Sequence, residues 1–212
     1  MKKKCVGILT SGGDAPGMNA VLRAATRACL AYGMDVRAII RGYSGLLKKE
    51  YVDFDIRSVS EIINNGGTMI HTARCKEFAT EEGLAKAAEN CKEMGLDALI
   101  VIGGDGSFRG ALELSKRGIQ CIGIPGTIDN DIGASDFDTA MNNAVEMADK
   151  IRDTMTAHDR CSVIKVMGRR CGNLAIGVGI ATGATGILIP EVKFDFEKDV
   201  IDRIELTKST GK

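Results

Sequence analysis

The sequence predicts an α/β protein with a doubly wound, mostly parallel sheet. Short apolar runs at residues 5–9, 99–102 and 121–124 have the length and composition of buried strands. Each run ends in a glycine-rich polar turn, and the first two turns lead into a helical pattern. The recurrence of strand, turn and helix along the chain is the pattern of a parallel sheet covered by helices.

The first unit of this pattern places a small polar loop where ligands often bind. Residues 10–17 carry Gly12 and Gly13, and a helix follows to about residue 32. After the first strand of a parallel sheet, such a loop is a candidate phosphate site, because helix N-terminal amides attract anions. On these residues alone, an ordinary turn and helix start is the alternative.

A second strand is predicted at residues 36–40, with a turn at residues 41–45 behind it. Tyr43 in this turn either lies over a nucleotide or covers the edge of the sheet. These residues do not decide between the two.

The chain from residue 58 to residue 94 combines a short helix, an irregular segment and a longer helix. Ser58 and Glu61 form a capping box, which predicts a helix at residues 59–64. An irregular segment begins at Gly66, and residues 82–94 have the apolar face of an amphipathic helix.

The third unit holds the most informative turn, GGDGS at residues 103–107. Its glycines allow close approach of a ligand, and the amides that open the next helix form a cradle for phosphate oxygens. Asp105 inside that cradle would repel phosphates unless a divalent cation lay between them, so Mg²⁺ is its natural partner.

The next strand ends in a second acidic turn, PGTIDND at residues 125–131. Asp129 could take a proton from a substrate hydroxyl while Asp131 helps to hold a metal. Either turn alone reads as an ordinary connection, but consecutive parallel strands bring their turns to one edge, where ligands bind. The third glycine of a dinucleotide fingerprint is missing, and the sequence contains no GxxxxGK[ST] P-loop.

The last third of the chain continues the alternation of helices and strands. An amphipathic helix is predicted at residues 137–156 and strands at residues 161–166 and 186–189. A small-residue stretch at residues 177–186 lies between these strands, and a final helix starts at residue 197.

The composition excludes several classes of protein. With 28 basic and 28 acidic residues and 4% aromatic residues, the chain carries neither a nucleic-acid surface nor an acidic tail. Its seven cysteines lack any CxxC spacing, so neither a disulfide framework nor a zinc site is indicated. The short apolar run after Met-Lys-Lys-Lys is neither a signal peptide nor a membrane span, so we expect a cytoplasmic protein.

Four motifs together resemble the bacterial ATP-dependent 6-phosphofructokinase family. They are GGDGS, PGTIDND, TSGGDAPGMNA at residues 10–20 and VMGRRCG at residues 166–172. Short GGDG turns also occur in NAD kinases and diacylglycerol kinases, whereas PGTIDND is more specific. The resemblance implies a nucleotide-binding domain at residues 1–136 and an incomplete sugar-phosphate-binding α/β lobe at residues 137–212.

The resemblance also implies a role for individual residues. Asp129 would be the general base, with Thr127, Arg169 and Arg74 as further catalytic residues, and Asp105 and Asp131 would hold Mg²⁺. Residues framing ATP would be Gly13, Arg74, Cys75, Gly104, Asp105, Gly106 and Ser107. Residues holding fructose 6-phosphate would be Thr127, Ile128, Asp129, Arg160, Met167, Gly168 and Arg169.

In the family, the arginine at the position of Arg160 comes from a neighbouring subunit, so a homo-oligomer is implied, a homotetramer in the family. Arg23, Arg27 and Arg152 match effector-site arginines, but Thr185 replaces a glutamate of that rim. Gly106 and Gly126 favour ATP, since pyrophosphate-dependent relatives carry aspartate and lysine at these positions.

The sequence departs from the family at two places. Between IDND and the following helix, this chain lacks a few residues of the type TIGF. The match also stops before the region that in the family supplies a glutamate, a histidine and further arginines to the sugar phosphate. We therefore expect the 212 residues to bind ATP and to phosphorylate fructose 6-phosphate poorly or not at all. The competing hypotheses are a non-catalytic nucleotide-binding fragment and a NAD or lipid kinase.

Overall fold

The computed structural model describes residues 3–130, 136–158 and 160–210. They form two compact units: residues up to Thr127 together with Asp136, and Ile128–Asn130 together with the chain from Phe137 onward. The boundary after residue 136, expected from the resemblance, stays a prediction.

The first unit is built on a five-stranded sheet, counted over the described residues, with the strand order β3-β2-β1-β4-β5. Neighbouring strands are parallel except β3, which is antiparallel to β2. This sheet confirms the predicted fold class. The strands are β1 (Cys5–Thr10), β2 (Asp35–Ile39), β3 (Tyr51–Phe54), β4 (Ala98–Gly103) and β5 (Gln120–Pro125).

Four α-helices accompany this sheet in the described part of the unit. They are α1 (Met18–Ala31), α2 (Gly42–Lys48), α3 (Glu81–Glu93) and α4 (Asp105–Lys116). The centre of the sheet is buried: all six residues of β1 are buried, and so are five of the six of β4. The apolar face of α3 contributes Ala87 and Cys91 to the same core as Leu9 and Leu99. The core therefore fixes the ends of β1 and β4, which carry the glycine-rich loops.

Two local predictions in this unit are wrong. The expected turn at residues 41–45 is the start of α2, entered through Arg41 in the left-handed conformation with φ 61°. The expected helix at residues 59–64 is a series of turns. The Asp55 carboxylate accepts hydrogen bonds from the Arg57 and Ser58 amides at 2.9 and 2.7 Å, and from the Ser58 hydroxyl at 2.8 Å. Asp55 thus competes for the side chain that would have capped the helix.

The described residues of the second unit contain helices and no strand. The helices are α5 (Phe137–Thr156), α6 (Asn173–Ala181) and α7 (Asp202–Ser209), the last continuing a π-helical turn at Glu197–Ile201. Gly177 lets α6 approach α5, since a Cβ there would lie 2.7 Å from Met141 Sδ. The helices predicted at residues 137–156 and from residue 197 are confirmed.

The strands predicted at residues 161–166 and 186–189 are wrong, because neither segment forms a strand in the described structure. A strand is stabilised by hydrogen bonds to a neighbour, and the described part of this unit offers none. Val163, which a sheet would cover, is 94% exposed.

Candidate active site

The GGDGS turn joins β4 to α4, and its first glycine is closely packed. A Cβ on Gly103 would lie 2.5 Å from the Ser11 carbonyl oxygen and 2.6 Å from Ser107 Oγ, so only glycine fits. Gly104 is extended at the N-cap, and its carbonyl accepts from the Ser107 and Phe108 amides at 3.0 and 3.1 Å. The result is a helix N-terminus whose position is set by the sheet and which can attract an anion.

The first glycine loop lies directly beside this turn. Thr10 pairs with Ile102 across the parallel strands, and the Ser11 amide donates to the Ile102 carbonyl at 2.9 Å. Gly12 has φ 94°, and a Cβ on it would lie 3.6 Å from Ser107 Oγ. A Cβ on Gly13 would have no neighbour within 4 Å. The structure therefore brings together the two glycine loops and leaves open space at Gly13.

A third segment, residues 65–72, is tied to the end of β1 and the start of α1, on either side of the first glycine loop, by two buried polar residues that were not predicted from the sequence. Thr10 Oγ1 donates to the His71 carbonyl at 3.0 Å, and Asn19 Nδ2 donates to the Asn65 carbonyl at 2.9 Å. Asn19 Oδ1 in turn accepts from the Met69 amide at 2.8 Å. The signal was present, since Asn19 is a polar residue between Met18 and Leu22 on the buried face of α1, and a buried amide is usually hydrogen-bonded.

Arg74 and Cys75, both predicted to contact ATP, follow this segment. Arg74 is exposed, and Cys75 is half-buried against the core. The Thr72 hydroxyl donates to the Gly12 carbonyl at 2.9 Å, so the chain leading to Arg74 is fixed to the glycine loop.

Asp105, the predicted metal ligand, is paired with a residue that the sequence analysis did not single out. Arg109 Nη2 lies 2.9 Å from Asp105 Oδ2, and Arg109 Nε donates to Oδ1 at 3.3 Å, one helical turn apart on α4. Half of the Asp105 side chain is exposed. No cluster of three or more His, Cys, Asp or Glu side chains occurs among the described residues, and Asp131 lies outside them.

Tyr43 belongs to the support of the turn and is buried. Its hydroxyl donates to the Ser107 carbonyl at 2.7 Å, and its ring stacks on Phe78 with centroids 3.8 Å apart. Burial raises the pKa of the phenol, which keeps the hydroxyl protonated as a donor. Gly110 makes room for both rings, since a Cβ there would lie 2.7 Å from Phe78 Cε1. The sequence left two roles for Tyr43, contact with a nucleotide or cover of the edge of the sheet. Its burial favours the second.

Gly126 and Thr127 follow β5 and contact the GGDGS turn. The Gly126 amide donates to the Gly103 carbonyl at 2.9 Å, and a Cβ on Gly104 would lie 3.4 Å from Thr127 Oγ1. A Cβ on Gly126 would be 3.3 Å from Ile102 and Met18, whereas one on Gly106 would meet nothing within 4 Å. The two glycines chosen for donor specificity therefore have different surroundings: Gly106 has space and Gly126 has none.

In the second unit, Asp129 lies beside the turn at residues 167–172. Its carbonyl oxygen accepts from Cys171 Sγ and from Asn173 Nδ2, both at 3.0 Å. Arg169 in this turn has φ 55°, and Met167 and Arg169 are exposed. Arg160 lies in an exposed segment, where its amide donates to the Met155 carbonyl at 3.5 Å. Ile128 and Gly168 are half-buried.

The three predicted effector arginines are divided between the units. On α1, Arg23 Nη1 donates to the Val59 carbonyl at 2.5 Å, and Arg27 follows one turn later with its side chain exposed. In the second unit, Arg152 Nη1 donates to the Thr182 carbonyl at 2.5 Å, beyond the end of α6. Thr185 is exposed in a bend.

Among the described residues, no helix has both the length and the apolar character of a membrane span.

Comparisons with known proteins give a consistent result. A family model described as Phosphofructokinase matches residues 5–212. The chain is 53% identical to ATP-dependent 6-phosphofructokinase 1 of Clostridium perfringens and 52% identical to ATP-dependent 6-phosphofructokinase of Natranaerobius thermophilus. Each alignment covers all of this chain and 67% of the relative. Among solved structures, phosphofructokinase from Saccharomyces cerevisiae matches 99% of this chain and 32% of its own at 37% identity, with a TM-score of 0.78.

Both bacterial alignments extend over 216 residues, against 212 in this chain. Each alignment therefore contains four more positions than this chain has residues.

Proposed function

Because the chain belongs to the phosphofructokinase family, we propose that it transfers the terminal phosphoryl group of ATP to the 1-hydroxyl of fructose 6-phosphate. The observation that carries this proposal is the glycine turn at residues 103–107, packed beside Gly12 at the carboxyl edge of the sheet. Backbone amides at a helix N-terminus suit nucleotide phosphates. The names of both bacterial relatives include ATP as the donor.

The first unit would bind the nucleotide. Gly13, Gly104, Gly106 and Ser107 would lie along its phosphates, because open space at Gly13 and Gly106 leaves room for a ligand. Arg74 would bind the transferring phosphoryl group, whose charge is spread over several oxygens that a planar guanidinium suits. Cys75 would lie beside the nucleotide.

Mg²⁺ would be held by Asp105, with Asp131 assisting. Magnesium usually keeps several waters and uses one or two carboxylates together with substrate phosphates, so a single half-exposed carboxylate at a phosphate turn suits it. The bound ion would neutralise phosphate charge during the transfer. Arg109, as the present partner of Asp105, would have to release it.

The second unit would supply the group that accepts the sugar hydroxyl proton. Asp129 would take this proton, and Arg169, with Thr127 from the first unit, would bind the transferring phosphoryl group. The remaining contacts to the sugar phosphate would come from Ile128, Arg160, Met167 and Gly168.

We further propose a cytoplasmic homo-oligomer in which Arg160 binds the sugar phosphate of a neighbouring subunit. Arg23, Arg27 and Arg152 would bind an anionic effector. Arg23 and Arg152 each donate to a backbone carbonyl, which a phosphate group could replace, and Asp149 Oδ1 lies 3.9 Å from Arg152 Nη1.

The test measures transfer and binding on the same preparation. Terminally labelled ATP with Mg²⁺ is offered to fructose 6-phosphate, NAD and diacylglycerol, and calorimetry with ATP and with fructose 6-phosphate runs beside it. Labelled fructose bisphosphate alone supports the proposal. Labelled NADP or phosphatidic acid would replace it with another kinase activity, and ATP binding without transfer to any acceptor would reduce the chain to a nucleotide-binding protein.

A further inference from the structure

The Asp129 carbonyl is held by two side chains at once. Cys171 Sγ and Asn173 Nδ2 both donate to this single oxygen at 3.0 Å, and a carbonyl has two lone pairs to accept them. All three residues belong to the second unit. Neither Cys171 nor Asn173 was assigned a role from the sequence.

Cys171 lies in the turn at residues 167–172, and Asn173 begins α6 directly after it. The Cys171 amide donates to the Gly168 carbonyl at 2.8 Å, and Gly168 adopts φ 150° with its absent Cβ 2.2 Å from the Cys171 oxygen. The Gly172 amide donates to Glu191 Oε1 at 2.7 Å, and a Cβ on Gly172 would lie 2.5 Å from Ile189 Cβ. A side chain at either glycine would displace the donors, so their positions are fixed by the backbone.

The residue after Asp129 has a left-handed backbone. Asn130 has φ 54°, a conformation that few residues with a side chain adopt and that asparagine adopts more readily than most. Holding the Asp129 carbonyl fixes its Cα as well, which restricts the carboxylate to a few rotamers.

We propose that Cys171 and Asn173 are positioning residues that hold Asp129 where its carboxylate can act as the base. The proposal rests on the proposed function, because Asp129 has a proton to accept only if a hydroxyl is phosphorylated. A base must lie within about 2.6–3.2 Å of the proton donor, and a displacement of about 1 Å can cost 100-fold in rate.

The sequence offers a direct spectroscopic probe. Asp129–Asn130 is the only Asp-Asn dipeptide in the chain. Labelling aspartate with ¹³C at the carbonyl and asparagine with ¹⁵N therefore gives one coupled carbonyl-amide signal, which reports the Asp129 carbonyl alone. A hydrogen bond lost from this oxygen moves its carbon resonance upfield, whether or not the protein turns over substrate.

The variants are N173L, which removes the amide at similar size, C171A, which removes the thiol, and C171S, which restores a donor. N142L, an exposed asparagine on α5, is the control for replacing a polar by an apolar side chain. We expect upfield shifts in N173L and C171A, a return in C171S and no change in N142L. We also expect kcat to fall about tenfold in N173L and C171A, with the KM for ATP unchanged.

Two results would overturn the proposal. One is a carbonyl signal that stays in place in N173L and C171A, and the other is a signal that moves while kcat keeps its parent value. A parent chain without transfer to fructose 6-phosphate contradicts the proposed function, whereas the carbonyl signal still decides whether Cys171 and Asn173 hold Asp129.

Discussion

The two units differ in how their backbone hydrogen-bonding groups are paired. In the first unit, parallel neighbours fill the hydrogen bonds of β1 and β4, and the glycine loops rest on these buried strands. In the second unit, residues 161–166 have a strand-like composition without a strand partner in the described structure, and a turn held by side chains supports Asp129. A site on a complete sheet is set by strand register, whereas a site without a sheet depends on individual side-chain hydrogen bonds.

Replacement of Asp129 should produce the largest change and would show that the second unit carries the chemistry. Without a base for the sugar hydroxyl, we expect Asp129→Ala to lower turnover by about 10²- to 10⁴-fold. ATP affinity, a property proposed for the first unit, should stay at the parent value by calorimetry. Asp129→Asn is the matched variant, because it keeps the shape and loses the basicity, so it should lose as much. Turnover within a few-fold of the parent in either variant contradicts the assignment.

Thiol alkylation should separate Cys91 in the first unit from Cys161 in the second by about 10³-fold or more. Cys91 is fully buried, whereas Cys161 is exposed. Burial also raises the pKa of the Cys91 thiol to about 12, so the folded protein holds little of the reactive thiolate there. Iodoacetamide therefore reaches Cys91 only when the first unit opens, and such opening of a stable core is rare.

The measurement is a time course of iodoacetamide labelling at several pH values, with each cysteine quantified by mass spectrometry. The unfolded chain is the control, since all seven thiols should then react alike. Equal rates at Cys91 and Cys161 in the folded protein would show that the first unit opens as easily as the second.

Gly103→Ala should destabilise the first unit by about 3 kcal/mol, since the new Cβ meets the Ser11 carbonyl oxygen in a place where the backbone cannot move away. Gly106→Ala is the control on the same turn. Its Cβ meets nothing within 4 Å, and alanine favours the helix, so this variant should equal the parent or exceed it by up to about 1 kcal/mol. Urea unfolding of both variants gives the comparison, and a parent-like Gly103→Ala would show that strand register does not fix the turn.

Gly106→Asp should give the smallest of these effects, about tenfold weaker ATP binding, because a carboxylate would face the nucleotide phosphates. Gly106→Asn has the same shape without the charge and should retain most of the affinity. An aspartate in the first turn of α4 also favours the helix, so weaker binding would not reflect unfolding.

Pyrophosphate titrated beside ATP completes that experiment. Preference of the parent chain for pyrophosphate would contradict ATP as the donor. Gly126→Lys is the less informative partner variant, because Ile102 and Met18 leave no room for its side chain.

The sequence predicted the first unit well because its signals are local. Apolar runs of strand length, glycine turns and amphipathic helices all lie within a few residues of one another, and β1, β2, β4, β5, α1, α3 and α4 lie where these patterns put them. The failures in this unit were also local. Ser58 fits a capping pattern, yet its hydroxyl donates a hydrogen bond to the Asp55 carboxylate, three residues earlier.

The candidate site was only partly predictable. The glycine turns and Asp129 stand in recognisable motifs, whereas the roles of Thr10, Asn19 and Tyr43 depend on partners 46 to 64 residues away. Nothing near these residues in the sequence identifies those partners. The strand predictions at residues 161–166 and 186–189 were wrong for a related reason, since the apolar pattern of a strand does not specify which segment will pair with it.

The edge strand β5 affects the tendency of the protein to self-associate. Within the described residues, β5 pairs on one side only, and Ile122 on it is 59% exposed. The opposite edge strand β3 carries Asp53, while β5 has no charged residue. Uncharged, exposed edges promote strand addition between molecules, and charge on an edge opposes it. Self-association through β5, more than the folding free energy, should therefore limit the concentration at which the chain stays monodisperse.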